Sequence, residues 1–360
     1  MSSKKDRLYL NLALNLAKNM EGLTGTNPSV GSVLVKNDEI ITLASTGYNG
    51  TPHSEFNLLN KIDKKITKGS TLYVTLEPCS HYGKTPPCTN IIIDRKISKL
   101  VFGAHDIDKR SSKRAKQILK LKKIKVKNVN LAKINEFYKP YIFQRKYKQP
   151  YVVGKIACSK DFFIKSLKSK YISNSHTQSF SHHLRYKNQA ILVTYKTIND
   201  DNPLLDCRLP GLNEYSPVKV ILDKNLKVKK NASIFKIKNP KIIIFYNSGD
   251  KKKIRFLKGK RAKLINVKLN KDGEFDLRKI MSILYQNSIC FLLVEGGNKL
   301  TNKLLDKNLF NEFYLIKTDK KLRQSGKLNI KKIVYKLSKK FRIKNNINQY
   351  FDKNRITRFI

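Results

Sequence analysis

Twice along its length the chain alternates short apolar runs with segments of helical spacing, and a proline-marked break separates the two series. In the first series Asp6–Asn19 carries leucines and alanines at helical spacing, with Asp6 placed to cap its start. Apolar runs at Val30–Val35 and Ile40–Ala44 flank Lys36-Asn37-Asp38-Glu39, which reads as a hairpin turn. Helices are expected at Glu55–Ile62, Asn90–Arg95 and Lys113–Leu121, alternating with strands at Leu72–Thr75, Leu100–Ala104 and Ile124–Val129. Near Tyr138–Pro150 the pattern breaks into Lys-Pro, Arg-Lys-Tyr-Lys and Gln-Pro, which places a boundary between domains 1–147 and 148–360. The second series has strands at Tyr151–Ala157, Ala190–Val193, Val218–Leu222, Lys241–Tyr246, Leu264–Val267, Phe291–Val294 and Phe313–Lys317. Helices are expected at Thr177–Arg185 and Asp276–Gln286, and Ser248–Lys263 as a solvated loop around a short helix. The last thirty residues keep enough apolar punctuation to close the domain with a strand or hairpin. Two layered α/β domains follow.

The 360 residues exceed what one core holds, and 40% hydrophobic against 28% charged residues excludes global disorder. No apolar run approaches the ~18 residues of a membrane span. The opening MSSKKDRLYLNLALNLAKNM interleaves Asn and Lys with leucine and reads as an amphipathic helix, not a secretory signal. Five cysteines, an odd number, make no disulfide framework, so a reducing cytoplasm is expected. Seventy-five basic against 26 acidic residues leave a net charge of +49, which in isolation points to nucleic acid. The lysines are spread along the whole chain among abundant Asn and Ile. All three residue types use A/T-rich codons, so base composition accounts for them. No specific nucleic-acid partner and no membrane partner are expected, although a basic surface would attract a small phosphorylated substrate.

Pro52-His53-Ser54-Glu55 is followed by Glu77-Pro78-Cys79 and, after eight residues, by Cys88. One imidazole and two thiolates offer zinc three ligands and leave a fourth position for water, which the ion acidifies. Glu55, two residues from His53, can take that water's proton and pass it to a departing amine. Each cysteine stands before or at the start of an expected helix, where the dipole favours a thiolate. Were His81 or His105 a fourth ligand, the site would be closed and structural.

His-x-Glu with Pro-Cys and a second Cys resembles the zinc nucleobase deaminases, whose cysteines usually stand two residues apart. The block YVTLEPCSHYGKTPPC, with Asn27-Pro28-Ser29-Val30-Gly31-Ser32-Val33 upstream, resembles the bifunctional deaminase/reductase family of riboflavin biosynthesis. In that family the long spacing is characteristic, and Ser54 stands where it carries alanine. The resemblance implies zinc on His53, Cys79 and Cys88, Glu55 as proton shuttle and Asn27 beside the pyrimidine.

No Gly-x-Gly-x-x-Gly or phosphate-loop lysine motif appears, so neither a Rossmann dehydrogenase nor a P-loop enzyme is expected. Phe291–Val294 instead opens through Glu295-Gly296-Gly297-Asn298 into a helix, a turn at which backbone N–H groups can meet a phosphate. Lys155–Asp161, His182–Arg185, Thr197 and Asp201–Arg208 resemble, in order and spacing, the reductase half of the same family. The implied fold is α/β throughout: an N-terminal cytidine-deaminase-like αβα domain and a C-terminal dihydrofolate-reductase-like α/β domain. The resemblance implies NADPH against Ala157, Tyr171, Thr197, Asp201 and Gly297. It implies substrate against Ser169, Arg185, Leu205, Arg208 and Glu295, and a homo-oligomer held through the reductase domain. Arginine suits a phosphorylated substrate because it can grip the phosphate bidentately. Phe162 departs from a glycine that permits a tight turn, and the loop after it is about two residues short. These departures motivate a second reading, a deaminase whose other half only binds ligand or assembles copies.

Overall fold

At the Lys36–Glu39 turn Asn37 and Asp38 both adopt left-handed backbone, φ 52° and 63°, the geometry that joins twisted antiparallel strands in a two-residue loop. The turn links β1 (Gly31–Lys36) to β2 (Glu39–Ser45) in a computed structural model that describes residues 4–83, 85–169, 172–237, 241–347 and 351–360. The chain forms two units, Met1–Gln149 and Pro150–Ile360.

In the first unit β3 (Thr71–Leu76), β4 (Lys99–Ala104) and β5 (Lys125–Asn128) complete a sheet of order β2-β1-β3-β4-β5. β1 is antiparallel to both neighbours, and β3, β4 and β5 run parallel. The helices are α1 (Lys4–Asn19), α2 (Ser54–Leu59), the single turn α3 (Lys64–Thr67), α4 (Cys88–Asp94), α5 (Arg114–Leu121) and α6 (Ala132–Tyr147). α1 lies so close to β1 that a Cβ on Gly31 would stand 1.9 Å from the Ala13 carbonyl oxygen, so only glycine fits there. α6 covers the same face, with Tyr138 hydrogen-bonded to Thr75 on β3, while α2 reaches the opposite face through Ser54 and Ser32. Leu10, Leu34, Leu72, Phe102 and Ile134 fill the core.

One expectation needs correction here. Asp6 does not cap α1: it is buried in the first turn, where its carboxylate accepts from Tyr73 at 3.0 Å and from Lys127 at 2.6 Å. The division between the units, at Gln149–Pro150, falls within the stretch where the sequence pattern breaks, but most of that stretch is helical: α6 runs on through Pro140 to Tyr147 and buries Tyr138 and Tyr141. The helix tolerates the proline because Ile134, Tyr138 and Tyr141 anchor it by packing, which outweighs local propensity.

The second unit holds a nine-stranded sheet. Its strands are β6 (Tyr151–Cys158), β8 (Ala190–Thr194), β9 (Val218–Leu222), β10 (Ile242–Tyr246), β11 (Ala262–Asn266), β12 (Phe291–Val294), β13 (Glu312–Lys317), β15 (Lys344–Asn346) and β16 (Arg355–Phe359). The order is β11-β10-β9-β8-β12-β6-β13-β16-β15, parallel from β11 to β13, with the last two antiparallel. On one face pack α10 (Leu277–Gln286), α11 (Asn298–Asp306) and α12 (Lys331–Lys340), and on the other α7 (Ser175–Tyr186), α8 (Tyr195–Asp201) and α9 (Lys251–Gly259). Such a sheet, buried on both faces, is why its strands read as continuous apolar runs. The lysine-rich segment 248–263 contains α9, capped by Asp250, and the start of β11. The closing residues supply α12 as well as the hairpin.

A separate ribbon pairs β7 (Phe163–Ser166) with β14 (Gly326–Asn329). The turn before it closes without glycine: Phe162 takes the left-handed region itself, φ 70°, with Lys317 over its ring at 4.1 Å. Asp161 ties the ribbon's two arms together by accepting backbone N–H groups of Leu322 and Arg323.

Candidate active sites

In the first unit His53 precedes α2, Cys79 follows β3 after two residues, and Cys88 opens α4. His53 Nδ1 lies 3.3 Å from Cys88 Sγ and 3.5 Å from Cys79 Sγ, and the three ligand atoms fall within 4.8 Å of one another. One nitrogen and two sulfurs on a common centre fit zinc. Among the described residues no other group of three or more potential ligands forms. His81 pairs with Ser111 Oγ at 2.8 Å and His105 with Glu77 at 2.8 Å, so neither completes a closed set. Only Cys88 stands at a helix start; Cys79 lies in a loop, where the Cys88 N–H donates to its sulfur at 3.2 Å.

The hydrogen bond from Cys88, joined by His53 and the Cys88 N–H, draws the Cys79 thiol well below its usual range. The same Cys79 contact, with burial, pushes Cys88 up. Glu55 is buried beside them; burial, then the Cys79 charge, raises its carboxyl, and Ser54 Oγ donates to Oε2 at 3.0 Å. A buried carboxyl next to a ligand triad can hold and release a proton at an amine. Asn27, His53, Glu55 and Cys79 line one cavity of about 90 Å³. Tyr141 and Arg145 of α6 line it too. No spacing in the sequence could have found them, because α6 reaches the cavity only through tertiary packing.

In the second unit a cleft of about 1280 Å³ opens at the carboxyl ends of the parallel strands. Ala157, Thr197, Asp201, Gly297, Arg185, Leu205 and Glu295 line it together. Ser169 and Arg208 are not among its lining residues, and Tyr171 lies outside the described residues. Arg185 grips Glu295 through Nε at 2.8 Å and Nη2 at 2.9 Å, and Nη1 donates to the Asp206 carbonyl at 3.1 Å. Burial works to raise Glu295, but the charges of Arg185 and then Lys155 outweigh it and hold the carboxyl at about 2. Lys155, Nζ 3.7 Å from Glu295, also lines the cleft and was absent from the sequence-based site; burial lowers it. Gly297 precedes α11 with nothing within 4 Å of where a Cβ would stand, which leaves room for a phosphate before the helix N–H groups. That cradle, beside a cleft of this size, fits a dinucleotide.

The zinc-binding region of cytidine and deoxycytidylate deaminases matches residues 3–104, and the RibD C-terminal domain matches residues 150–318. The riboflavin biosynthesis protein RibD of Aquifex aeolicus is 33% identical over 312 residues, covering 85% of each chain. That of Bacillus amyloliquefaciens is 32% identical over 314 residues, covering 86% of this chain and 83% of its own. Among solved structures, Acinetobacter baumannii RibD superimposes with a TM-score of 0.83 at 25% identity over 99% of both chains. A Thermotoga maritima diaminohydroxyphosphoribosylaminopyrimidine deaminase/5-amino-6-(5-phosphoribosylamino)uracil reductase gives 0.81 at 27% identity over 98% of both. Among the described residues no helix is long and apolar enough to cross a membrane. With a cytidine-deaminase-like zinc domain followed by an NADPH-dependent reductase domain, the chain belongs to the RibD family of bifunctional riboflavin-biosynthesis enzymes.

Proposed function

We propose that residues 1–147 hydrolytically remove the exocyclic amine of 2,5-diamino-6-ribosylamino-4(3H)-pyrimidinone 5′-phosphate, and that residues 148–360 then reduce its ribosyl group to ribityl with NADPH. The observation that carries the reading is the grouping of His53, Cys79 and Cys88 as a ligand triad, with buried Glu55 beside His53 and Cys79 in one cavity. His53, Cys79 and Cys88 hold zinc, which when bound polarises a water toward hydroxide. Glu55 takes a proton at its carboxylate and delivers it to the leaving amine, with Ser54 orienting Oε2. Asn27, whose side-chain N–H donates to the Gly50 carbonyl at 2.9 Å, borders the pyrimidine.

In the second site Ala157, Tyr171, Thr197, Asp201 and Gly297 hold NADPH, which supplies the hydride. Ser169, Arg185, Leu205, Arg208 and Glu295 hold the substrate, with Arg185 fixed by Glu295 so that little reorganisation accompanies binding. The same reading has the enzyme working in the cytoplasm as a homo-oligomer joined through its reductase domain. The deciding experiment is product mass after incubation of zinc-loaded protein with the substrate and NADPH. A product both deaminated and reduced is expected. Deamination alone would leave the second domain without its proposed chemistry, and unchanged substrate at full zinc content would overturn the whole reading.

A further inference from the structure

An edge strand offers free backbone groups to any passing chain, and lysine on such a strand discourages the pairing. Among the described residues β5 carries Lys125 and Lys127, β11 Lys263, β15 Lys344, and the β7–β14 ribbon Lys165 and Lys327. β2 is the longest of these edge strands, at seven residues, and carries no lysine; its one charge is Glu39. No lysine or arginine occurs from Asn37 to Asn60, in a chain where 75 of 360 residues are basic. A bulge at Ile41 and the Asn57 side chain, which donates to the Ser45 carbonyl at 3.0 Å, leave few backbone groups to pair. Side chains therefore decide what this edge can meet. The closeness of Gly31 to Ala13 puts Gly31, and by alternation Val33 and Val35, on the α1 face of the sheet. Their cross-strand partners Leu43 and Ile40 share that face, yet they are 45% and 46% exposed. On α1 Leu8 is 63% exposed, and Leu8 to Ala17 contains no charged residue. Tyr9 donates to the Asp38 carbonyl at 2.9 Å and Lys5 Nζ to Asp38 Oδ2 at 2.6 Å, which fastens this part of α1 to the turn into β2.

We infer that β2 and the adjoining flank of α1 form a two-fold contact surface for a second copy of this chain. Each copy carries a net charge of +49, so two copies repel wherever their lysines face each other. This edge lets them approach through apolar side chains, with Lys5 at its margin already paired to Asp38. A two-fold axis sets the same patch on both copies, so Leu8, Ile40 and Leu43 of one meet those of the other. The contact is separate from the one proposed above through the reductase domain. Alone it gives a dimer, and combined with that contact it doubles the assembly again.

The test is the mass of the full-length protein in solution, by sedimentation equilibrium, for wild type, Leu43→Lys and Leu8→Lys at equal concentration. Each variant sets lysine into the contact on both copies and should halve the mass of the assembly. Leu121→Lys, at an 83% exposed leucine that ends α5, should leave the mass unchanged. Added salt should strengthen the wild-type assembly, because it screens the repulsion between copies and leaves the apolar contact in place. A monomeric wild type would overturn the inference, and so would a mass that neither Leu43→Lys nor Leu8→Lys changes or that Leu121→Lys lowers equally. Both leucines are exposed, so the variants should keep wild-type zinc content and thermal unfolding; if Leu43→Lys does not fold, Leu8→Lys decides. Halving to a dimer leaves the reductase-domain contact standing, whereas halving to a monomer removes that contact and keeps this one.

Discussion

Arg185 and Glu295 meet in a two-point pair at 2.8 and 2.9 Å although 110 residues separate them along the chain. Both side chains are nearly shut off from solvent, so removing either leaves a stranded charge rather than a missing contact. Glu295→Ala should destabilise the second unit by about 3–5 kcal/mol, and Arg185→Lys should lose the two-point geometry and part of that stability. Thermal unfolding would show it; a Glu295→Ala variant as stable as wild type would mean that the pair contributes nothing to the fold.

The same pair gives a pH dependence. The folded-state pKa of Glu295 is depressed to about 2, below the ~4.3 of an unfolded glutamate. Its stabilisation is therefore complete above about pH 4.3 and drains away as pH falls toward 2. Denaturant midpoints measured across that window should decline more steeply in wild type than in Glu295→Gln. Parallel curves would contradict the assignment.

Cys88→Ser should abolish stoichiometric zinc and deamination together, because a serine hydroxyl is a poor replacement for a thiolate at this ion. Reduction of separately prepared deaminated substrate should continue, since the reductase cleft lies wholly in the other unit. Metal analysis beside the two assays decides it, and a zinc-replete Cys88→Ser protein would remove Cys88 from the ligand set.

Glu55→Gln separates proton transfer from metal binding. Zinc content should stay at the wild-type level while kcat for deamination falls by about 10²–10⁴. Ammonia release near the wild-type rate would show that another group carries the proton.

At Phe162 the usual ranking of substitutions should invert. Phe162→Ala keeps the left-handed backbone and discards the packing and the Lys317 contact, costing about 1–2 kcal/mol. Phe162→Gly discards the same contacts but relieves the φ of 70°, so it should exceed the alanine variant by up to about 1 kcal/mol. Chemical denaturation of the two side by side is the check, with an alanine variant the more stable of the pair counting against strain at this position.

What could be read from the chain depended on whether neighbours in space were neighbours in sequence. His53 and Glu55 share one helix start, and the loop from Cys79 to Cys88 folds back on itself, so their chemistry was visible as spacing. Strands β9 and β12 were read residue for residue, because burial on both faces leaves an unbroken apolar run. Arg145 and Tyr141 belong to a helix that the sequence pattern hides, since Pro140 and the basic residues after it interrupt the apolar spacing just ahead of the division at Gln149–Pro150. The β7–β14 ribbon was equally hidden. Its arms are short and far apart in sequence, and the Asp161 carboxylate that joins them resembles any surface acid.

Glu295 and Gly297 stand two residues apart just past the end of β12, one paired with Arg185 and the other at the mouth of α11. The separation between the two is thus a covalent length, at most about 7 Å of peptide, and not a product of how helices settle against the sheet. Substitutions elsewhere in the cleft leave that length unchanged. A single inserted residue between them would do more damage than many substitutions around them.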